Sequence, residues 1–227
     1  MVDSTPGRQI VLSPDGNALA VANAGDFSFA ANNASLGPND SFAVQDDNGA
    51  TVSTGRWGVW QGPFTVISQG APKSAISGFH FAGGSNITST AQLAALGTQS
   101  FSYSMIGGTA SNEAGALASS FSTSANVILT PGPTLGTVSM TASANFPAGS
   151  IGWNGSGISG TLKDFLGNTG ISGGAWTCSG CAATSGSAHG QFLGPQAEGL
   201  ITGISACDGV KAMIGTAVLT RIVDLPG

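Results

Sequence analysis

The chain has 227 residues, 41% of them hydrophobic and only 7% charged, with a formal net charge of −5. An average soluble domain carries about 25% charged residues, so solubility here rests on Ser, Thr, Asn, Gln and exposed backbone. Arg8, Arg56, Lys73, Lys163, Lys211 and Arg221 are scattered, which excludes the clustered cations that nucleic acids and anionic membrane surfaces require.

Thirty-six glycines argue for many turns and closely packed strands. They argue equally against long helices, where each costs about 1 kcal/mol relative to alanine. Eleven Phe and four Trp among alternating Val, Ile and Leu supply a core that disordered Gly/Ser-rich chains lack. No apolar run approaches the ~20 residues of a membrane-spanning helix. Met1 does not open the basic and apolar pattern of a signal peptide. That leaves a cytosolic protein or an exported one with its leader removed, and the low-charge composition rich in Ser, Thr, Asn and Gly favours the second.

Residues 1–26 read as an N-terminal arm, with one apolar run, Ile10-Val11-Leu12, and a turn at Ser13-Pro14-Asp15-Gly16. Ala18 to Ala22 fits either a strand or a short helix. Residues 27–97 form a β-rich segment expected to pack on a following barrel. Its hairpin turn is Asp46-Asp47-Asn48-Gly49, which lacks the spread of acidic ligands that calcium needs. Trp57 and Trp60 are three residues apart, so a strand points them to opposite faces; they are the candidate partner-binding aromatics. Gly78 to Phe81 reads as a short strand whose His80 faces away from its two phenylalanines, and Gly83-Gly84-Ser85 reads as a turn. Gln92 to Leu96 is a brief Ala/Leu segment.

Residues 98–222 carry strands at regular spacing, with Phe101, Tyr103 and Met105 on one face. About eight can be counted, which predicts an all-β fold built on an eight-stranded antiparallel β-barrel. Its penultimate corner is GQFLGPQAEGLITGIS, residues 190–205. There Gly194-Pro195 forces a turn, and Glu198 is expected to accept turn amides. Phe101, Tyr103, Met105, Trp153, Trp176, Phe192, Ile201 and Val218 are the expected buried set.

Three cysteines leave one unmatched. Cys178 and Cys181 lie in TCSGC within a glycine-rich loop, which favours a small disulfide over redox chemistry, since a reactive pair belongs at a helix N-terminus. A zinc site from Cys178, Cys181, His189 and Cys207 has suitable ligand types but lacks the second close ligand pair of structural sites.

The succession GRW, GFHFAGG, SFSYSMIGGT, a WNGSG strand, a cysteine-containing glycine loop, GQFLGPQAEGL and VKAMIGTAVLTR resembles bacterial exported proteins with a C-terminal barrel like that of transferrin-binding protein B. Such lipocalin-like barrels also occur in factor H-binding protein and after FecR-like domains. The most specific element is Phe192, Gly194, Ala197 and Glu198 followed by a strand. The resemblance spans about residues 55 to 222. It implies a barrel at or outside the outer membrane that binds partners through loops and rims, with no catalytic set. The Lys- and Glu-rich surfaces of host-protein binders are missing, and no lipobox cysteine precedes the domain.

The residues themselves offer no nucleophile elbow and no phosphate loop. The expectation is a non-catalytic extracellular or surface binding module needing no cofactor or metal, with a protein partner or self-association. A small apolar ligand inside the barrel is the other occupant considered. The alternatives are a self-assembling surface or fibre subunit using its N-terminal segment for strand addition, and a small hydrolase.

Overall fold

The computed structural model describes residues 9–12, 19–22, 27–31, 35–68, 71–147, 152–167, 169–178, 185–208 and 210–222, with side chains from residue 36 onward except 62–77. The chain is almost entirely β-structure. β1 (Gln9–Leu12) and β2 (Leu19–Ala22) pair as an antiparallel two-stranded sheet of their own, so the segment after Ala18 is a strand. The turn expected between them lies outside the described residues.

A second antiparallel sheet follows: β3 (Phe27–Ala31), β4 (Ser35–Gln45), β5 (Thr51–Ser68) and β6 (Ala71–Gly84). The long β5 pairs first with β4 and then with β3, and it pairs with β6 along its other side. The β4–β5 turn falls where the Asp-Asp-Asn-Gly cluster predicts it. Asp46 Oδ1 accepts the backbone N–H groups of Asn48 and Ala50, both at 2.9 Å, and Gly49 takes φ +80. β6 is much longer than the four-residue reading from Gly78 to Phe81. It also runs through Gly83-Gly84, which had read as a turn; at Gly84 a Cβ would meet Phe42 and Leu193 at 3.1–3.2 Å. The glycine serves close packing there.

The Ala/Leu segment forms helix α1 (Thr90–Ala95) behind a capping box. Ser89 Oγ accepts the Gln92 N–H, and the Gln92 side chain accepts the Ser89 N–H, satisfying two helix-end donors. The barrel comprises β7 (Gln99–Asn112), β8 (Ser120–Leu129), β9 (Gly136–Asn145), β10 (Trp153–Thr161), β11 (Ile171–Ser172), β12 (Ala175–Cys178), β13 (Ser185–Leu193), β14 (Gly199–Cys207) and β15 (Ala212–Arg221). Helix α2 (Leu162–Leu166) follows β10. The sheet order is β11-β13-β14-β15-β7-β8-β9-β10-β12.

Its two edge strands are joined through Gly173 and Gly174, at φ +109 and +80. β11 pairs with β13 and β12 with β10, so they are two halves of one strand that bridges the ends of the sheet. Counted as one, they give the expected eight. Trp176 fills this seam, because its ring occupies the space that a side chain on Gly155 of β10 or Gly186 of β13 would need.

Alternation drives the apolar residues inward. Tyr103, Val127, Met140, Trp153, Ile158, Phe192 and Leu200 form one core with Phe165 from α2 and Leu93 from α1. Tyr103, Phe192 and Phe165 pack in sequence as tilted rings, their centroids 5.9 and 6.4 Å apart. Eight strands leave an interior that side chains can fill, and here bulky rings fill it. Of the expected buried set, Tyr103, Trp153, Trp176, Phe192 and Val218 are buried. Phe101, Met105 and Ile201 are only partly so. Ile201 alternates with inward Leu200 and Thr202 and therefore points outward, where it joins a second apolar cluster. That cluster, Phe42 and Val44 with Leu193 and Val218, seats the N-terminal sheet on the outer face of β13–β15.

Candidate functional site

Three places combine polar groups in the folded chain. The first is the corner after Pro195. Gly194 adopts φ +83 and Ala197 φ +58, so the turn needs support. Glu198, 1% exposed, supplies part of it: its Oε2 accepts the Gln196 N–H at 2.9 Å. Tyr103 Oη donates to the Ala197 carbonyl at 2.6 Å. Burial pushes that phenol well above its ordinary pKa; the nearby Arg221 opposes the shift and Glu198 adds to it. Arg221 donates to the Gln196 carbonyl at 3.0 Å and to Asp47 at 2.6 Å, and its guanidinium lies 5.0 Å from the Phe101 ring centroid. All of these bonds except the Arg221–Asp47 ion pair hold turn backbone in place. Glu198 is a turn anchor.

The second place is the contact between the N-terminal sheet and the barrel. His80 Nε2 lies 2.7 Å from Ser111 Oγ of β7, and Ser111 is buried. Burial holds the imidazole down to about pKa 4, slightly opposed by a bond to the Thr109 backbone. Trp57 packs on the barrel side, its indole occupying the space that a side chain on Gly107 would need. Trp60 points the other way, across from Leu36 and Phe79 in register, and is buried, its Nε1 finding no hydrogen-bond acceptor among the described residues. The two tryptophans therefore do not share a face.

Of the cysteines, Cys178 ends β12 and packs partly against the core, Cys207 is exposed at the end of β14, and Cys181 lies outside the described residues. His189 sits over Gly203. Among the described residues, no three His, Cys, Asp or Glu side chains gather to hold a metal ion. No described helix is long and apolar enough to cross a membrane.

The third place is the outer wall of β8, β9, β10 and β12, where a concavity of about 430 Å³ opens. Its lining side chains are Ser122, Ser124, Thr141, Ser143, Asn154, Ser156 and Thr177, with Thr123, Ala142, Gly155 and Ala175 between them. Strand alternation aims these hydroxyls outward as it aims Val127, Met140 and Ile158 inward. Register then places them in rows. Ser122 and Ser143 Oγ are 2.7 Å apart, and Ser124 Oγ is 2.8 Å from Thr141 Oγ1. The β10 strand shifts register between Gly155 and Ile158, with Gly157 at φ +65, which dents the wall. A hydroxyl has one donor proton and two lone pairs. Each pair thus keeps donor and acceptor capacity for a ligand.

No charged residue occurs from Ala114 to Leu162 or from Phe165 to Ala197, so the wall is neutral throughout. Among the described residues its lining includes no carboxylate, imidazole or thiol; what it offers is hydrogen bonding. The wall was absent from the expected sites, although the polar half of SFSTSAN and TVSMTASAN already spelled it. Reading alternation for its apolar half finds the core and passes over the surface.

No protein-family model matches the chain, and no curated protein matches it in sequence. Among solved structures it is similar to intact Ap-TbpB (N and C lobes), with 12% sequence identity and a TM-score of 0.34. The match covers 96% of this chain and 42% of that chain, so this chain spans less than half the length of the protein it matches.

Proposed function

We propose that the chain is a non-catalytic binding module of a bacterial surface or the extracellular space, engaging a neutral, hydrogen-bonding partner through the hydroxyl wall of the barrel. The observation that carries this reading is the concavity of about 430 Å³ lined by hydroxyls, amide and backbone without a charge. A barrel packed with Trp153, Tyr103, Phe165 and Phe192 directs binding to the outside and disfavours a small apolar ligand within. The motif resemblance around Phe192, Gly194, Ala197 and Glu198 supports a surface or extracellular setting and a protein partner. A Cys178–Cys181 staple belongs to the same proposal; intact mass before and after reduction tests it.

The test screens purified bacterial surface proteins and neutral polysaccharides by biolayer interferometry. Placing a charge in the wall with Ser143→Lys should weaken the selected partner at least tenfold, because a lysine there meets neutral groups only. Thr130→Lys, outside the wall, should leave binding intact. A partner bound equally well by Ser143→Lys refutes the wall as the site.

A second reading, self-assembly through the N-terminal segment, is favoured by the β1–β2 hairpin standing as a separate sheet. Deleting residues 1–26 without any change in particle size by light scattering would end it. The His80–Ser111 pair is what a hydrolase reading would use; ester turnover abolished by Ser111→Ala would replace the binding proposal.

A further inference from the structure

We propose that the seat of the N-terminal sheet on the barrel is an acid-sensitive latch, in which protonation of His80 loosens β6 from β7. Among the described residues, side-chain bonds tie β4–β6 or their connecting turn to a barrel strand at two points. One is the Arg221–Asp47 ion pair at 2.6 Å; the other is the His80–Ser111 bond at 2.7 Å. The ion pair has an exposed partner in Asp47, whereas the histidine is partly buried in the interface, its Nδ1 fully so.

A neutral imidazole fits this place. One ring nitrogen meets the Ser111 hydroxyl, and the other, Nδ1, is buried without an acceptor in hydrogen-bond geometry among the described residues. Protonation makes both nitrogens donors and places a charge in a buried position, where the Thr109 backbone offsets only part of the desolvation cost. Among the described residues, the surroundings supply no compensating charge. Val59 faces the histidine from β5, Gly78 and Ala82 flank it on β6, and Thr109 and Ser111 approach from β7. Ile214 of β15 lies beside Ser111 in register. Glu113, beyond the end of β7, accepts the Ala212 N–H at 3.1 Å, and Asp208 accepts the Lys211 N–H at 2.6 Å. The pKa of about 4, displaced downward by burial and with no acid among its causes, agrees with this geometry. Once the latch opens, the apolar pair Leu193 and Val218 on the barrel loses its cover of Phe42 and Val44, giving the acid form a surface that the neutral form hides.

Hydrogen–deuterium exchange on the full chain tests the latch, with rates corrected for the intrinsic pH dependence of amide exchange. Between pH 7 and pH 4, protection in β6 and the Thr109–Ser111 stretch of β7 should fall by up to about a hundredfold, while β8 and β9 stay protected. His80→Gln should abolish the acid step, and Ser111→Ala should retain it. Equal acid loss in His80→Gln and the wild type overturns the proposal, as does exchange in β8 and β9 at pH 4 as fast as in β6. Should His80→Gln fail to fold, an NMR titration of the wild-type His80 ring decides: its midpoint must coincide with the loss of β6 protection, and a separate midpoint refutes the latch.

Discussion

At the residue scale, Glu198 shows how burial changes the meaning of a side chain. An acid beside a glycine-proline turn can be read as a catalyst, but its Oε2 accepts the Gln196 N–H within a corner that Tyr103 and Arg221 also brace. The role makes a distinctive prediction. Glu198→Gln keeps an acceptor oxygen and should change stability by less than about 1 kcal/mol, whereas Glu198→Ala removes the acceptor of the partly buried Gln196 amide and should cost about 1–3 kcal/mol. Urea denaturation with an unchanged slope measures both, and equal losses would show that acceptance is not what Glu198 contributes. His80 was legible only in part. Its position between two phenylalanines gave the face, but the neighbour that uses that face, Ser111, is 31 residues away along the chain.

At the scale of elements, the barrel closes through a strand broken at Gly173-Gly174. Trp176 compensates for the missing ladder by filling the space above Gly155 and Gly186. Trp176→Ala should therefore cost about 3–5 kcal/mol and raise hydrogen exchange first in β10 and β13, the strands it joins. A loss spread evenly over all eight strands would argue that the ring is ordinary core filling. Gly107 illustrates the same economy between units: its bare Cα admits the Trp57 indole. Gly107→Val should displace that ring at a cost of about 1–3 kcal/mol, seen as a change in tryptophan fluorescence together with a lower midpoint. Periodicity in β7 to β10 predicted these strands and their inward faces. It could not predict the long β6, since glycines that read as turn formers there make room for Phe42 and Leu193.

At the scale of the whole molecule, one core fills the barrel and a second cluster seats the N-terminal sheet upon it. Phe192, fully buried between Tyr103 and Phe165, belongs to the first, and Phe192→Ala should cost about 3–5 kcal/mol in thermal or urea unfolding. The interface adds a pH dependence. His80 is held near pKa 4 in the folded protein against an ordinary 6.5, so between these values the unfolded chain binds the extra proton. Stability should therefore be full above about pH 6.5, fall as the pH drops towards 4, and level off below it with respect to this group. The limiting contribution is on the order of 3 kcal/mol. Comparing urea unfolding of wild type and His80→Gln at pH 7, 5 and 4 isolates it, because only the wild type should lose this component.

What the sequence by itself determined is the class of fold: alternation, glycine-rich turns and the absence of helical periodicity specify antiparallel strands, since each of these acts over a few neighbouring residues. The same local rules placed the Asp46–Gly49 turn and the Pro195 corner. Tertiary structure alone decided where each polar residue went to work. It joined Ser122 to Ser143 and Ser124 to Thr141 into one neutral wall, set His80 against Ser111, and enclosed Glu198. Those outcomes depend on strand register and on which face of the barrel receives the N-terminal sheet, and both are settled by contacts between residues far apart in the chain.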